Sequence, residues 1–242
     1  MSLPPNPLSA VLPPDPNDDW RSQLTGAALL VVDMQYADAH PEHGICQDLK
    51  DRGLLEEYEY YRTRLRSIVP NIQSLLAAFR AEGMPVFHSV IRSLLPGGED
   101  RCRRHKKIGL HVPPGSKEGE VLEELAPLAG EPVLAKTTAS VFNSTTLDRV
   151  LRNIGCDTLV VAGVVTNGCI ESTVRDAADL SYNVVLVQDA CGALTPELHE
   201  ASLRTLRHSY CTPVATREVV EALGRKPYTL LHEQESARAP RP

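Results

Sequence analysis

Short apolar runs alternate with longer stretches of helical periodicity through most of this chain. The runs are Ala27–Val32, Val86–Val90, Pro132–Ala135, Thr158–Ala162, Val184–Gln188 and a brief one near Pro213–Ala215. Each is short, rich in β-branched residues and almost free of polar alternation, as expected of strands buried on both faces of a parallel sheet. Between them lie helical patterns. Ile72, Leu75, Leu76 and Phe79 share one face, Thr145–Asn153 and Cys169–Leu180 follow later strands, and Pro196–His208 begins with proline in a first-turn position. Arg217–Leu223 closes the pattern, with Thr216 as its expected N-cap. Pro70 predicts that the first long helix starts or kinks there. The alternation predicts an α/β fold: three layers, doubly wound, around six parallel strands.

Two stretches escape both periods. Tyr36–Leu55 and Arg92–Pro114 are irregular, the second broken by Pro96-Gly97-Gly98 and Pro113-Pro114. Long connections in compact domains are often functional, so these are where substrate selection is expected. The ends differ from the middle. Residues 1–24 read as an extension rich in Pro, Asn and Asp, residues 25–226 as one domain, and residues 227–242 as a poorly ordered tail. The start carries neither a basic n-region nor an apolar h-region, and no apolar run reaches the ~18 residues of a membrane span.

Composition narrows the function classes. The net charge of −6 gives no footprint for nucleic acid or an anionic membrane. One basic cluster, Arg101–Lys107, is diluted by nearby acidic residues and reads as a solvated loop. Cys46, Cys102, Cys156, Cys169, Cys191 and Cys211 form no CxxC pair and no metal-ligand spacing. They read as reduced thiols, the expectation for a cytoplasmic protein.

The chemistry stands where apolar strands end. Asp33, Lys136 and Cys169 each directly follow a strand or the turn after one, and the carboxyl ends of parallel strands form the ligand crevice of open α/β sheets. A thiolate attacks a carbonyl carbon, a carboxylate takes and returns the thiol proton, and an ammonium holds the negative charges in place. Cys169 follows a Thr166-Asn167-Gly168 turn at a helix start, where free N–H groups and the helix dipole are expected to lower its pKa from the ordinary ~8.5.

These residues carry a resemblance. Val32-Asp33-Met34-Gln35, Lys136 within Ala135–Phe142, and Gly163-Val164-Val165-Thr166-Asn167-Gly168-Cys169 resemble the isochorismatase-like cysteine hydrolases, from about Ala27 to Leu223. That superfamily includes N-carbamoylsarcosine amidohydrolases, ureidoacrylate hydrolases, biuret hydrolases and nicotinamidases. The resemblance implies an Asp33–Lys136–Cys169 triad working through a thioester. It also implies a cis peptide at Val164–Val165 and an oxyanion hole built from the Val165 and Cys169 N–H groups. The expected substrate is a small linear amide, carbamoyl or ureido compound, with a nicotinamidase-like or isochorismatase-like hydrolase and a silent binding relative as alternatives.

The resemblance further implies a homo-oligomer, a dimer or tetramer whose neighbour could contribute to the pocket. No cofactor is expected. Nicotinamidases hold a metal with an Asp and closely spaced histidines. His88 has no partner histidine nearby, and Asp38, His40 and His43 make only a weak cluster, so a metal-free site is expected. Many relatives read Asp-Phe soon after Asp-Met-Gln; here the run is Gln35-Tyr36-Ala37-Asp38-Ala39-His40. Substrate contacts are expected from Gln35, Tyr36, Phe142, Asn167 and Arg92, with Arg103 and Arg104 as further partners for a substrate carboxylate. For Tyr36 and Phe142 a packing role stands beside that reading, for Asn167 a left-handed turn role, and His88 reads as a satisfied core residue.

Overall fold

The computed structural model describes residues 19–224, so the tail after Lys226 and most of the N-terminal extension lie outside the described residues. Within them six strands form one parallel sheet: β1 (Ala28–Val32), β2 (Val86–Ile91), β3 (Val133–Lys136), β4 (Thr158–Val164), β5 (Asn183–Gly192) and β6 (Thr212–Val214). Their spatial order is β3-β2-β1-β4-β5-β6. The chain therefore winds outward in one direction from β1, then returns to β4 and winds outward in the other. The reversal lies between β1 and β4, where a crevice opens at the carboxyl ends of the strands.

Each face of the sheet is covered because every side chain of β1, β2 and β4 is buried. Successive residues point to opposite faces. Leu29 and Val31 pack with one layer of helices, α1 (Trp20–Gln23), α4 (Leu55–Ala81) and α9 (Thr216–Gly224). Ala28, Leu30 and Val32 pack with the other, α6 (Leu147–Asn153), α7 (Glu171–Asp179) and α8 (Pro196–Leu206). Trp20 and Leu24 are buried in the first layer, so the last residues of the expected extension pack on the domain. The shorter helices α2 (Tyr36–Ala39), α3 (Gly44–Asp51) and α5 (Arg103–Lys107) lie in the two irregular stretches. Among the described residues no helix is long and apolar enough to cross a membrane.

The expectation that the long helix starts at Pro70 is corrected. Helix α4 runs through it for 27 residues, burying Tyr61, Leu65, Ile68, Ile72, Leu75, Leu76 and Phe79 along one stripe. Pro70 is on the exposed face, and the carbonyl left without a helical donor belongs to the equally exposed Arg66. Tertiary burial of the stripe outweighs the local penalty. Thr216 is likewise inside α9 rather than capping it; its N–H and Oγ1 both donate to Asp189 Oδ1, each at 2.7 Å. Pro196 does open α8, with Thr195 accepting from the Leu198 N–H.

One glycine fixes the spacing at the reversal. Gly163 in β4 has φ +123°, and a Cβ there would meet the backbone of Val32 in β1. The two central strands therefore approach at the position where their functional ends diverge.

Candidate active site

Asp33 directly follows β1 in a left-handed backbone conformation (φ +54°), which aspartate tolerates better than most residues. Its N–H donates to the Ser89 carbonyl at 2.9 Å, and Ser89 Oγ donates to Asp33 Oδ1 at 3.2 Å. Lys136 is the last residue of β3, two strands from β1. At about 4.8 Å per strand, only a long side chain bridges that gap. The lysine stem crosses beyond β2 and brings Nζ to 2.8 Å from Asp33 Oδ2 and 3.3 Å from Cys169 Sγ. Nζ also donates to the Thr138 carbonyl at 3.2 Å. The sulfur arrives from the other side of the reversal, on the single π-turn Thr166–Ile170 between β4 and α7. Three residues distant in sequence thus meet as expected, and all three are buried.

Burial sets the electrostatics. Desolvation pushes the Asp33 carboxyl above its ordinary value, opposed by the Lys136 ammonium beside it. Lys136 keeps its proton, because the neighbouring Asp33 and Cys169 outweigh the desolvation of its own charge. Cys169 differs from the expectation of a lowered thiol. Burial, then the Asp33 charge, push it up, and Lys136 pulls only partly the other way. The reason lies in the turn, which directs Sγ inward onto a carboxylate instead of out along the axis of a regular helix start. The resting arrangement is therefore a thiol beside an Asp–Lys pair, with the carboxylate made a stronger base by burial.

A cavity of about 330 Å³ opens over the sulfur. Val165, Gly168 and Cys169 line one side, and Asp38, Ile91 and Val112 are also in its wall. The Val164–Val165 peptide bond at its edge is cis.

The other expected contact residues are placed elsewhere. Gln35 is fully buried and spends its amide on the backbone: Nε2 donates to the Ile91 and Glu118 carbonyls, each at 2.9 Å, and Oε1 accepts from the Ile91 N–H at 2.5 Å. It ties the end of β1 to β2 and to the backbone at Glu118, and both its amide N–H groups are spent there. Tyr36 stacks on His40 at 4.8 Å and meets His43 edge-on, with Lys117 over its ring. Phe142 packs against Tyr182. Asn167 is exposed at φ −83°, ψ 15°, so it is not left-handed either. Arg92 lies along Gly119, while Arg104, from the same irregular stretch, does line the cavity. His88 is buried with its Nε2 3.4 Å from Glu131, and neither ring nitrogen makes a hydrogen bond. Among the described residues no group of three His, Cys, Asp or Glu side chains could hold a metal ion.

Asp38 was named by the sequence only as part of that weak cluster, yet it reaches the cavity. The available signal was its place in the run Gln35–His40 that follows Asp33. What it lacked was any sequence clue that α2 buries it.

The family model for the isochorismatase domain matches residues 27–218. The chain belongs to the isochorismatase family. Among solved members, an isochorismatase family protein from Desulfovibrio vulgaris is 31% identical, covering 83% of this chain and 99% of its own, with a TM-score of 0.67. A cysteine hydrolase from Pseudomonas syringae pv. phaseolicola is 28% identical over 82% of this chain and 92% of its own, TM-score 0.71. N-carbamoylsarcosine amidase from Thermoplasma acidophilum is 27% identical over 78% of this chain and 96% of its own, TM-score 0.61. The six-stranded parallel sheet is that of the isochorismatase-like hydrolases, and the chain is a hydrolase of this family.

Proposed function

We propose that this isochorismatase-like hydrolase is a cysteine amidohydrolase that cleaves a C–N bond of a small linear amide, carbamoyl or ureido compound. The observation that carries the reading is Cys169 Sγ at 3.3 Å from Lys136 Nζ, with Asp33 ion-paired to the same ammonium beneath one cavity. In the proposed cycle Asp33 accepts the Cys169 proton as the sulfur attacks the substrate carbonyl carbon. Lys136 balances the charge that passes between them. The N–H groups of Val165 and Cys169 receive the developing oxyanion, a contribution of typically ~10²–10³ in rate per donor. The C–N bond then breaks, with the proton on Asp33 passing to the departing nitrogen. Water gives a proton to Asp33 and adds to the thioester, the C–S bond breaks, and the sulfur recovers its proton.

Two further facts support this. The cavity is at the small end of ligand sites, which run from roughly 300 to 1,000 Å³. A relative 27% identical is an N-carbamoylsarcosine amidase. The test is ammonia release across aliphatic amides, carbamoylated amino acids, ureidoacrylate, biuret and nicotinamide, followed by mass spectrometry of Cys169. Cys169→Ala is expected to lose at least ~10³-fold in turnover while staying folded, and the active enzyme is expected to show an acyl adduct on Cys169. Full activity in Cys169→Ala rejects the mechanism, and turnover confined to nicotinamide rejects the substrate class.

A further inference from the structure

The cavity wall contains one buried carboxyl that the proposed cycle does not use. Asp38 lies in α2, between Ala37 and Ala39, and is 7% exposed. Its Oδ2 is buried with no hydrogen-bond partner. A buried oxygen left in that state costs on the order of 1–3 kcal/mol, so it persists where something else provides the partner. Asp33 is committed to Lys136 and Ser89, whereas Asp38 faces the same Asp33–Lys136–Cys169 group without an ion pair of its own. The remaining acidic residues of the cavity, Asp48 and Glu118, stand at its more exposed mouth, and Glu118 already lies 3.7 Å from His43.

We propose that Asp38 is a specificity-determining residue whose free oxygen accepts an N–H from the substrate, so that the site selects ureido compounds over plain amides. This rests on the amidohydrolase reading for the identity of the carbonyl group. The chemistry follows from what the two classes offer. Both bring a carbonyl oxygen and a leaving nitrogen. Only the ureido compound carries a second N–H on the far side of the carbonyl, and the other buried side chains of the wall, Ala37, Ile91, Val112 and Cys169, offer no oxygen or nitrogen acceptor for it. Desolvation and the neighbouring Asp33 charge push the Asp38 carboxyl up to about 8, so near neutral pH it is largely uncharged. A neutral carboxyl binds a neutral N–H donor without the cost of burying a charge, and it disfavours a cationic ligand.

The test uses three uncharged molecules of nearly one shape: butylurea, N-butyl-N-methylurea and hexanamide, in which CH₂ replaces the second N–H. The readout is the concentration of each that halves the rate at which iodoacetamide alkylates Cys169, followed by peptide mass spectrometry. In the wild-type enzyme butylurea is expected to protect at a concentration at least tenfold lower than either analogue. Asp38→Leu is expected to bring the three within about twofold, and Asp38→Asn, which keeps an acceptor oxygen, to retain part of the preference. Equal protection by all three in the wild type, or by none, overturns the proposal; so does an undiminished preference in Asp38→Leu. The wild-type series needs no variant to fold. It also separates this inference from the amidohydrolase reading, because a butylurea preference together with no ammonia release from any amide or ureido compound would leave Asp38 as an N–H-binding residue in a site with different chemistry.

Discussion

Cys169 and Cys191 are both buried at the ends of neighbouring strands, and both thiols are pushed up by desolvation, Cys191 to about 12. Burial alone therefore does not distinguish them. What differs is the company. Cys169 has an ammonium at 3.3 Å, a carboxylate beside it and a cavity above. Cys191 lies inside β5, in register with Gly163. The nearest cation to it, Arg64, is occupied by main-chain carbonyls: Nε donates to the Cys191 oxygen at 2.9 Å, and Nη2 to that oxygen and to Gln188. The proposed nucleophile requires a proton acceptor, a charge that follows the proton, and access. A buried thiol lacking these three is packing.

The strongest challenge to that contrast is to remove the acceptor. Asp33→Asn keeps the shape and cannot take the proton, so turnover is expected to fall by roughly 10²–10⁴ on whichever amide the wild type hydrolyses, measured as kcat by ammonia release. A loss of less than tenfold would mean that the sulfur is activated by something other than Asp33. The next effect concerns access. Iodoacetamide is expected to alkylate Cys169 at least tenfold faster than Cys191 in the native protein at pH 7.5, with the two peptides followed by mass spectrometry, and equal rates would erase the distinction.

The smallest effect lies in the link between the two neighbourhoods. His199 Nδ1 is 2.8 Å from Thr166 Oγ1 in the Cys169 turn, and its Nε2 lies 3.5 Å from Arg64 Nη2. Burial, with Arg64 beside it, lowers its pKa from 6.5 to about 4. The folded state therefore binds this proton less readily than the unfolded chain. The resulting stability is fully present above pH 6.5 and lost as the pH falls toward 4. Between pH 7 and pH 5 this amounts to on the order of 1–2 kcal/mol, or a few degrees in Tm for a chain of this size. His199→Gln is expected to reduce that acid-dependent drop in a pair of thermal melts, and an unchanged drop would assign it to other groups.

Much of this was legible in the sequence because strand ends are. Asp33, Lys136 and Cys169 each follow an unmistakable apolar run, and the rule for parallel sheets brings such positions to one edge. The strands themselves were found, although β5 continues to Gly192, four residues past its expected end, and so takes in Cys191. Pro70 misled because local propensity was read without the seven buried side chains that hold α4 together around it. Gln35, Tyr36, Phe142 and Asn167 were assigned by closeness in sequence to the triad and Arg92 by its charge in the second irregular stretch, and neither signal says which way a side chain turns. Gln35 turns into the sheet edge and Arg92 onto Gly119. Asp38 escaped for the opposite reason. Its importance comes from burial by segments that are irregular in sequence, where no periodicity reports which residues face inward.

Gly163 has a bearing on how this scaffold tolerates change. Because the backbone of Val32 occupies the space of its missing side chain, the gap between the strand that leads to Asp33 and the strand that leads to Cys169 is set by main-chain contact. Side-chain rotamers have no part in it. Loops around the mouth can therefore drift, lengthen or be redesigned for new ligands while the distance between Asp33 and Cys169 stays calibrated from beneath. A library seeking altered selectivity is best spread over 36–55 and 92–114, with position 163 held constant as the gauge of the machine.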